Sequence, residues 1–505
     1  MIVIGWLACT APPPEGPAAK TTAGGRPNVL LVVWDTVRAD HVQALGYDRP
    51  TTPWLSTLAS RGTVYEDATS PACWTAPGHA SLFTGLPLRS HGVDVTHPWL
   101  DERYPTLAEA LRDAGWDTFG WTGNRFVSAS TNLVQGFDAV ETSWHGRGRD
   151  RARAATVAKL LPNDRSTEIS PGWTPNGHGP GWSRELTEVK EAAPVANQAL
   201  AAWLRNRPDP TRPFFAFVNL MEAHQPLVPS QAARDAVMTP DEQATALQVD
   251  GTVFGWMAYT SGKQDYTAAE LGALRATYDA AIHDLDAGTS AIAATLDQLG
   301  LLDDTIVVVV ADHGELLGEH HMMSHRWALW DELVHVPLVI AGPGVPAGRV
   351  ADVVSTAQLP ATVLELVGLP ALPGSAASLT THRPGPAFSE RRDPNPLMDP
   401  VRKAFPDLPV DQFGARLSSA RTPTAKWIGS DRAPTDRLFA RPGDPGEATD
   451  LAATQPEAVA AARAAFDAWA AEHPPYDPSL SAPTDGPKRT TDAERQALEA
   501  LGYTE

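Results

Sequence analysis

Cysteine is nearly absent from this chain. Cys9 and Cys73 are the only two among 505 residues, which excludes a disulfide framework and a zinc site built on thiolates. Runs rich in Lys and Arg are missing as well. With 40 basic residues against 60 acidic ones and a formal net charge of −20, the chain lacks the basic footprint of a nucleic-acid binder. No internal apolar run is long enough to span a bilayer. Tyrosine is scarce, at 8 residues against 16 tryptophans. Most of those tryptophans are expected to pack in the core, with some left to line a pocket.

What is present describes a globular chain. Hydrophobic residues make up 43% and charged residues 20%, and 505 residues suffice for one large domain or two. The 46 prolines and 39 glycines imply long or numerous loops. The first 26 residues stand apart. Met1 to Ala8 is short and apolar and runs into Cys9, followed by a Pro-rich tether from Thr10 to Pro17. This pattern resembles the end of a bacterial lipoprotein signal, although it has no basic n-region and its apolar stretch is short. It predicts an exported protein of the bacterial cell envelope or periplasm, with membrane contact only through a lipid anchor at Cys9.

Strand and helix patterns alternate from there on. Pro27–Asp35 and Thr305–Glu315 are continuously apolar, Val-rich runs that end in polar groups, as buried parallel strands do. Shorter strands are predicted at Thr63–Ala68, Asp117–Thr122, Pro213–Leu220 and Val336–Ala341. Helices are predicted at Thr51–Arg61, Leu107–Gly115, Ala193–Asn206, Thr267–Leu299 (as one helix or two) and Leu359–Val367. The expected fold class is α/β: a mainly parallel central sheet with helices on both faces, plus a small C-terminal α+β subdomain. The predicted layout is 1–26 tether, 27–370 catalytic domain, 371–474 subdomain and 475–505 tail. The subdomain carries a hairpin at Ala415–Gly429 and a helix at Pro456–Ala471. The tail ends in a short helix, Asp492–Gly502. Within the large domain, Trp144–Lys190 has no readable pattern, and a loop of that length is expected to act as a lid or substrate wall.

Four residues are expected to converge. Asp35, Asp312 and His313 fall at the carboxyl ends of predicted parallel strands, where open α/β sheets place their ligands. Thr75 lies in the stretch Ser70–Gly85, where Pro77 and Gly78 bend the chain into a helix. A residue just before a helix start faces free backbone N–H groups and the positive end of the helix dipole. Two carboxylates, an imidazole and a hydroxyl suit one hard divalent cation, such as Ca, Mg or Mn. A cation beside a threonine hydroxyl would make it a usable nucleophile.

These stretches, in this order, resemble the sulfatase branch of the alkaline phosphatase superfamily. They are Pro27–Asp35, Thr75–Gly85, His91-Gly92-Val93, Phe214-Phe215 through His224-Gln225-Pro226, Asp303–Glu315, the helix after Leu359, and Arg421–Leu451. The resemblance implies a metal-dependent hydrolase of sulfate or phosphate esters, acting on a small-molecule or glycan ester. Two departures stand out. Sulfatases usually carry Cys-x-Pro-x-Arg, whose Cys becomes formylglycine. Aligned on Pro77, this chain has Thr75 at the Cys position and His79 at the Arg position, while Cys73 lies two residues early, so formylglycine is not expected. The first strand usually ends in paired Asp, but Thr36 follows Asp35. The remaining set of Asp35, Thr75, Asp312 and His313 resembles the single-metal site of Thr-nucleophile phospho-group transferases.

The resemblance also assigns His224 as a leaving-group acid and Asn124 as a donor to the substrate anion. Either His325 or Arg326 stands where the family has a cationic active-site residue. His91 is expected to be structural, and at least one of His320 and His321 a loop residue. Two other readings compete with hydrolysis. One is phospho-group transfer to an envelope lipid or glycan, and the other is a noncatalytic binding protein on a degenerate scaffold.

Overall fold

The run Asn28-Val-Leu-Leu-Val-Val-Trp34 forms β1, and every one of its residues is buried. A strand buried on both faces needs hydrogen-bonding neighbours on both edges. β1 has them in β5 (Phe214–Leu220) and β6 (Thr305–Ala311), both parallel and both fully buried. The computed structural model describes residues 25–143 and 192–481, apart from 226, 252, 382–383 and 393–412. Cys9, the 144–190 loop and the predicted helix Asp492–Gly502 lie outside the described residues.

The central sheet has eight strands in the order β10-β2-β9-β6-β1-β5-β3-β4. The outer members are β2 (Thr63–Thr69), β3 (Asp117–Thr122), β4 (Ala139–Thr142), β9 (His335–Ala341) and β10 (Gly348–Ser355). All pairings are parallel except those of β9, which runs against both β2 and β6. The carboxyl ends of β1, β2, β3, β5 and β6 therefore open on one edge of the sheet.

Helices cover both faces. On one lies a single 31-residue helix, Ala268–Gln298, held at its start by a Thr267/Glu270 capping box. It packs against the helix Ala192–Arg205 and α1 (Pro53–Ala59), and its Thr289 hydroxyl accepts a 2.9 Å bond from the buried Trp34 indole. The helix also caps α1 from a distance. Thr52, the residue before α1, makes no side-chain cap, and the Asp286 carboxylate accepts the Trp54 and Leu55 N–H groups instead, each at 2.8 Å. On the other face, α2 (Thr75–Thr84) packs with the helices Leu107–Asp113 and Leu359–Leu366.

A second, antiparallel sheet carries β11 (Ala387–Arg391), β12 (Leu417–Arg421), β13 (Ala425–Ser430) and β14 (Asp436–Ala440) in sequential order. The expected hairpin is therefore the middle of a four-stranded sheet. Both missed outer strands are five residues long, too short for alternation to stand out. The helix Pro456–Glu472 packs on this sheet, with Phe466 contacting Trp427 and Phe388. Between β6 and β9, Leu316–Leu317 and Met323–Ser324 pair as a small ribbon, β7–β8.

Buried charge joins the two sheets. Arg421, at the end of β12, reaches Asp331 with bonds of 3.0 and 3.1 Å and also contacts Asp67 of β2. Lys426 bonds Asp331 at 2.7 Å and lies 3.0 Å from Glu447, and Arg441 bonds Asp67 at 2.9 Å. Arg421 and Lys426 have no exposed side-chain surface. Removing one member of such a buried set leaves its partners' charge uncompensated, at a cost of roughly 3–5 kcal/mol. Arg421→Met is therefore expected to lower unfolding free energy by about that amount, read from urea denaturation. A loss below about 1 kcal/mol would show that the latch carries little of the docking energy.

Candidate active site

The helix α2 starts at Thr75 itself, two residues earlier than the Pro77-Gly78 bend suggested. Pro77 falls in the first turn, where its missing N–H forfeits no intrahelical bond. Thr75 is thus the first helical residue, fully buried at the positive end of the helix. The turn before it is pinned from three directions. The Ser70 N–H bonds Val334 O at 2.8 Å, the Ser70 hydroxyl bonds the Asp312 carbonyl, and β11 grips the turn through Ser389 Oγ to Ser70 O and Glu390 N to Pro71 O.

Around Thr75 the structure brings together Asp35 after β1, Asn124 after β3, and Asp312 with His313 after β6. The Asn124 amide donates to Thr75 Oγ1 at 3.2 Å and to Asp35 Oδ2 at 2.7 Å. His313 donates Nδ1–H to the Gly314 carbonyl at 2.9 Å, which leaves the Nε2 lone pair facing inward. That Nε2 lies 3.3 Å from Thr75 Oγ1, 3.4 Å from Asp312 Oδ2 and 3.8 Å from Asp35 Oδ1.

His79 sits one helical turn below Thr75. Its Nδ1–H bonds the Thr75 carbonyl at 3.0 Å and lies 3.3 Å from Asp312 Oδ2. The ring therefore supports the carboxylates from beneath.

Two carboxylates this close repel one another, and their ionisation shows it. Burial and the charge of Asp312 push Asp35 up to about 6. Burial pushes Asp312 up too, but the nearby His313 and His79 outweigh it and hold that carboxyl below its usual range. His79 is raised because the two carboxylates outweigh its burial. Asp35 Oδ1 and Asp312 Oδ2 are fully buried and accept no aligned hydrogen bond. Asp35, Asp312 and His313 each offer a ligand atom within 4.8 Å of the others. Orphaned carboxylate oxygens beside an imidazole lone pair are what a divalent cation would satisfy, so the donor set fits the expected metal.

A second ring of residues borders this centre. The His325 ring lies 4.5 Å from that of His313 and 5.2 Å from that of His224. Its Nδ1 is 3.1 Å from Glu315 Oε1. Burial, with His313 and Arg326 nearby, pushes His325 well below its usual range, so it is neutral at pH 7. Arg326 is lowered only to about 9 by desolvation and keeps its charge. His224 is buried and donates Nδ1–H to the Gln225 carbonyl at 2.5 Å.

The remaining histidines stand elsewhere. His91 bonds Ser81 Oγ and the Val93 N–H inside the core, as a structural residue does. His320 stacks on Trp330 with ring centroids 3.9 Å apart and approaches Glu332, while His321 lies against Tyr259. Neither belongs to the Asp35 group. Cys73 is buried, and burial pushes its thiol up to about 11, so it is not a thiolate nucleophile.

Three functional neighbours went unassigned from the sequence. The Asn219 amide, near the end of β5, lies 3.4 Å from both Asp35 Oδ2 and His79 Nε2. Glu315 orients His325. Thr36 takes up φ of 63°, a strained conformation for a β-branched residue, and points its N–H at Asp312 Oδ1, 3.4 Å away. Tyr278 fixes that turn by donating to the Thr36 carbonyl at 2.5 Å. The signal for Asn219 and Glu315 was available: each is a polar residue near the carboxyl end of an apolar strand, as Asp35 is.

Comparisons with known proteins show the family and the fold. A family model described as Sulfatase matches residues 27–369. The chain is 27% identical over 497 residues to arylsulfatase K of Bos taurus, a match spanning 89% of this chain and 83% of that protein. It is 28% identical over 392 residues to the multifunctional alkaline phosphatase superfamily protein PehA of Trinickia caryophylli, spanning 68% and 74%. The fold is shared with the phosphonate monoester hydrolase of Agrobacterium radiobacter. That crystal structure aligns with a TM-score of 0.67 at 23% identity, over 89% of this chain and 96% of that one.

Close approach of α2 to β6 depends on Gly78. A Cβ there would lie 3.0 Å from the Asp312 carbonyl oxygen and 3.3 Å from its Cβ. Alanine in a helix interior ordinarily gains about 1 kcal/mol over glycine. Gly78→Ala is expected to lose that gain and to lower the melting temperature, because Asp312 must move. A higher melting temperature would show that the contact is slack.

Proposed function

The chain belongs to the sulfatase family, which makes it a hydrolase of sulfate or phosphate esters, and from that premise we propose that Thr75 is its nucleophile and that Asp35, Asp312 and His313 hold one divalent cation. One observation carries the assignment. Thr75 Oγ1 sits between the Asn124 amide and His313 Nε2, at 3.2 and 3.3 Å, on the first residue of a helix, and the same His313 Nε2 lies 3.4 and 3.8 Å from the orphaned oxygens of Asp312 and Asp35. No other hydroxyl among the described residues stands in that place, and position 75 offers no cysteine from which formylglycine could be made.

Each residue then has a part. Asn124 donates to Thr75 Oγ1 and to Asp35, so it fixes the nucleophile's position and orients its lone pair. The positive end of α2 and the Arg326 guanidinium favour the nonbridging oxygens of a sulfuryl or phosphoryl group. His79 and Asn219 hold the Asp35–Asp312 pair in place. A divalent cation bound there supplies Lewis-acid stabilisation of the transferred group and lowers the pKa of the threonine hydroxyl. The Thr75 hydroxyl loses its proton to solvent as its Oγ–sulfur or Oγ–phosphorus bond forms and the bond to the ester oxygen breaks. His224 in its protonated form, with Nδ1–H kept on the Gln225 carbonyl, gives the departing oxygen the proton from Nε2, and water then cleaves the threonine ester, releasing sulfate, phosphate or a phosphate monoester while Thr75 and His224 regain their protons.

The substrate class we favour is a small-molecule or glycan ester, handled outside the cytoplasm if Met1–Cys9 acts as an export and lipidation signal. Among the described residues no helix is long and apolar enough to cross a membrane. Phospho-group transfer and a noncatalytic role gain no support from the family match.

Two measurements test the proposal. Thr75→Ala should lose at least roughly a thousandfold in kcat on an aryl sulfate or aryl phosphodiester, the scale set by losing a nucleophile. Full activity in that variant would refute the nucleophile assignment, and the ratio of kcat/KM for the two esters assigns the preferred chemistry. Separately, millimolar Ca, Mg or Mn should raise the melting temperature of metal-stripped protein, and Asp312→Ala should abolish the rise. An unchanged melting temperature with all three ions would refute the cation site.

A further inference from the structure

A cavity of about 470 Å³ lies where the 320–330 segment meets the second sheet. That volume falls within the range of roughly 300–1,000 Å³ usual for small-molecule sites. Its lining carries two arginines, Arg432 and Arg437, beside His320 and His321, and no Asp or Glu among the described residues; the carboxylates nearest the lining, Glu332 behind His320 and Asp265 beside His321, stand 3.7 and 3.8 Å from those rings. Such a lining is notable in a chain with 60 acidic residues against 40 basic.

The cavity also offers flat aromatic surface. Trp327 and Phe413 stand with ring centroids 5.6 Å apart. Trp330 is stacked on His320 on one side, with the Arg437 guanidinium 5.2 Å from its ring. The wall is fixed from behind: Arg391 bonds the Trp327 and Phe413 carbonyls and the Ala415 carbonyl at 2.6 Å. Cations and ring faces on a preformed wall suit a ring that bears a negative charge.

The same strip of chain borders the catalytic centre. Trp327, on the cavity wall, directly follows His325 and Arg326, which border that centre, and consecutive Cα atoms are about 3.8 Å apart. We propose that this cavity binds a ring carrying a sulfate, sulfonate or carboxylate group, and that it receives the non-reacting end of the ester substrate. The second half of the proposal rests on the hydrolase reading above, while the first half stands on the cavity alone. On this view the enzyme's preferred substrates carry a second anion, on a sugar or aryl ring beyond the ester that is cleaved.

Binding to the full-length Thr75→Ala protein tests the site without turnover. The probes are 2-naphthalenesulfonate and a disaccharide uronate, each set against its neutral counterpart, 2-naphthalenemethanol and lactose, in titration calorimetry. At least one anionic probe is expected to bind at least tenfold tighter than its neutral partner. Arg432→Glu, at an exposed position, and Arg437→Gln should each weaken that binding at least fivefold while circular dichroism shows the folded protein. In protein with Thr75 intact, Arg432→Glu should raise KM for an ester that carries a second anionic ring at least fivefold more than it raises KM for a plain 4-nitrophenyl ester. Tighter aryl binding would assign an aromatic acid, and tighter uronate binding an acidic sugar. No binding, equal binding of the neutral probes, or binding indifferent to both arginine changes would overturn the site. Binding that follows the arginines, with KM unmoved, would overturn its link to the substrate. None of these results depends on whether Thr75→Ala is inactive, so the failure of the nucleophile assignment would be seen separately.

Discussion

Two buried carboxylates of like charge, Asp35 and Asp312, stand side by side at one edge of the sheet, and most of the surrounding structure serves to tolerate them. Each arrives at the end of a fully buried strand, and β1 and β6 are adjacent, so the backbone leaves no way to separate them. Like charges at this distance in a dry interior are costly. The chain meets the cost with His79 below, His313 beside, the amides of Asn124 and Asn219 around Asp35, and the Thr36 N–H held toward Asp312 in a strained turn. What these groups leave unsatisfied are two oxygens beside His313 Nε2. Unsatisfied buried negative charge of this kind suits a cation.

The replacement of the family's usual residues by Thr75, His79 and Thr36 changes this balance in a coherent way. Histidine one turn into the helix is shorter than arginine, and it reaches the Asp312 carboxylate while bonding back to its own helix. Threonine in place of a second Asp removes a negative charge from a cluster that already holds two. The centre is thereby reduced to fewer charges of both signs, without losing the geometry of the strand ends.

Much of this was legible in the sequence, for a physical reason. Continuous, short, Val-rich runs favour doubly buried strands, and a polar residue ending such a run emerges at the ligand-binding edge. The placement of Asp35, Asp312 and His313 follows from that, while the strand order does not. Residues whose position depends on tertiary packing were less readable. The α2 start moved to Thr75 because the Ser70–Pro71 turn is held by β11, more than three hundred residues away. β11 and β14 were missed because five-residue edge strands carry too little pattern. His325 and Arg326 could not be separated by position, since adjacent residues share one stretch of sequence and their surroundings decide their charge: burial lowers both, His325 well below its usual range.

The grip of β11 on the nucleophile turn has a consequence for how the protein comes into being. Every residue of the catalytic centre has been synthesised by the time Arg326 leaves the ribosome. The hydrogen bonds that fix residues 70 and 71 come from residues 389 and 390, and the latch beside them comes from residues 421 to 447. The nascent chain therefore holds all its chemistry well before it holds the shape that uses it.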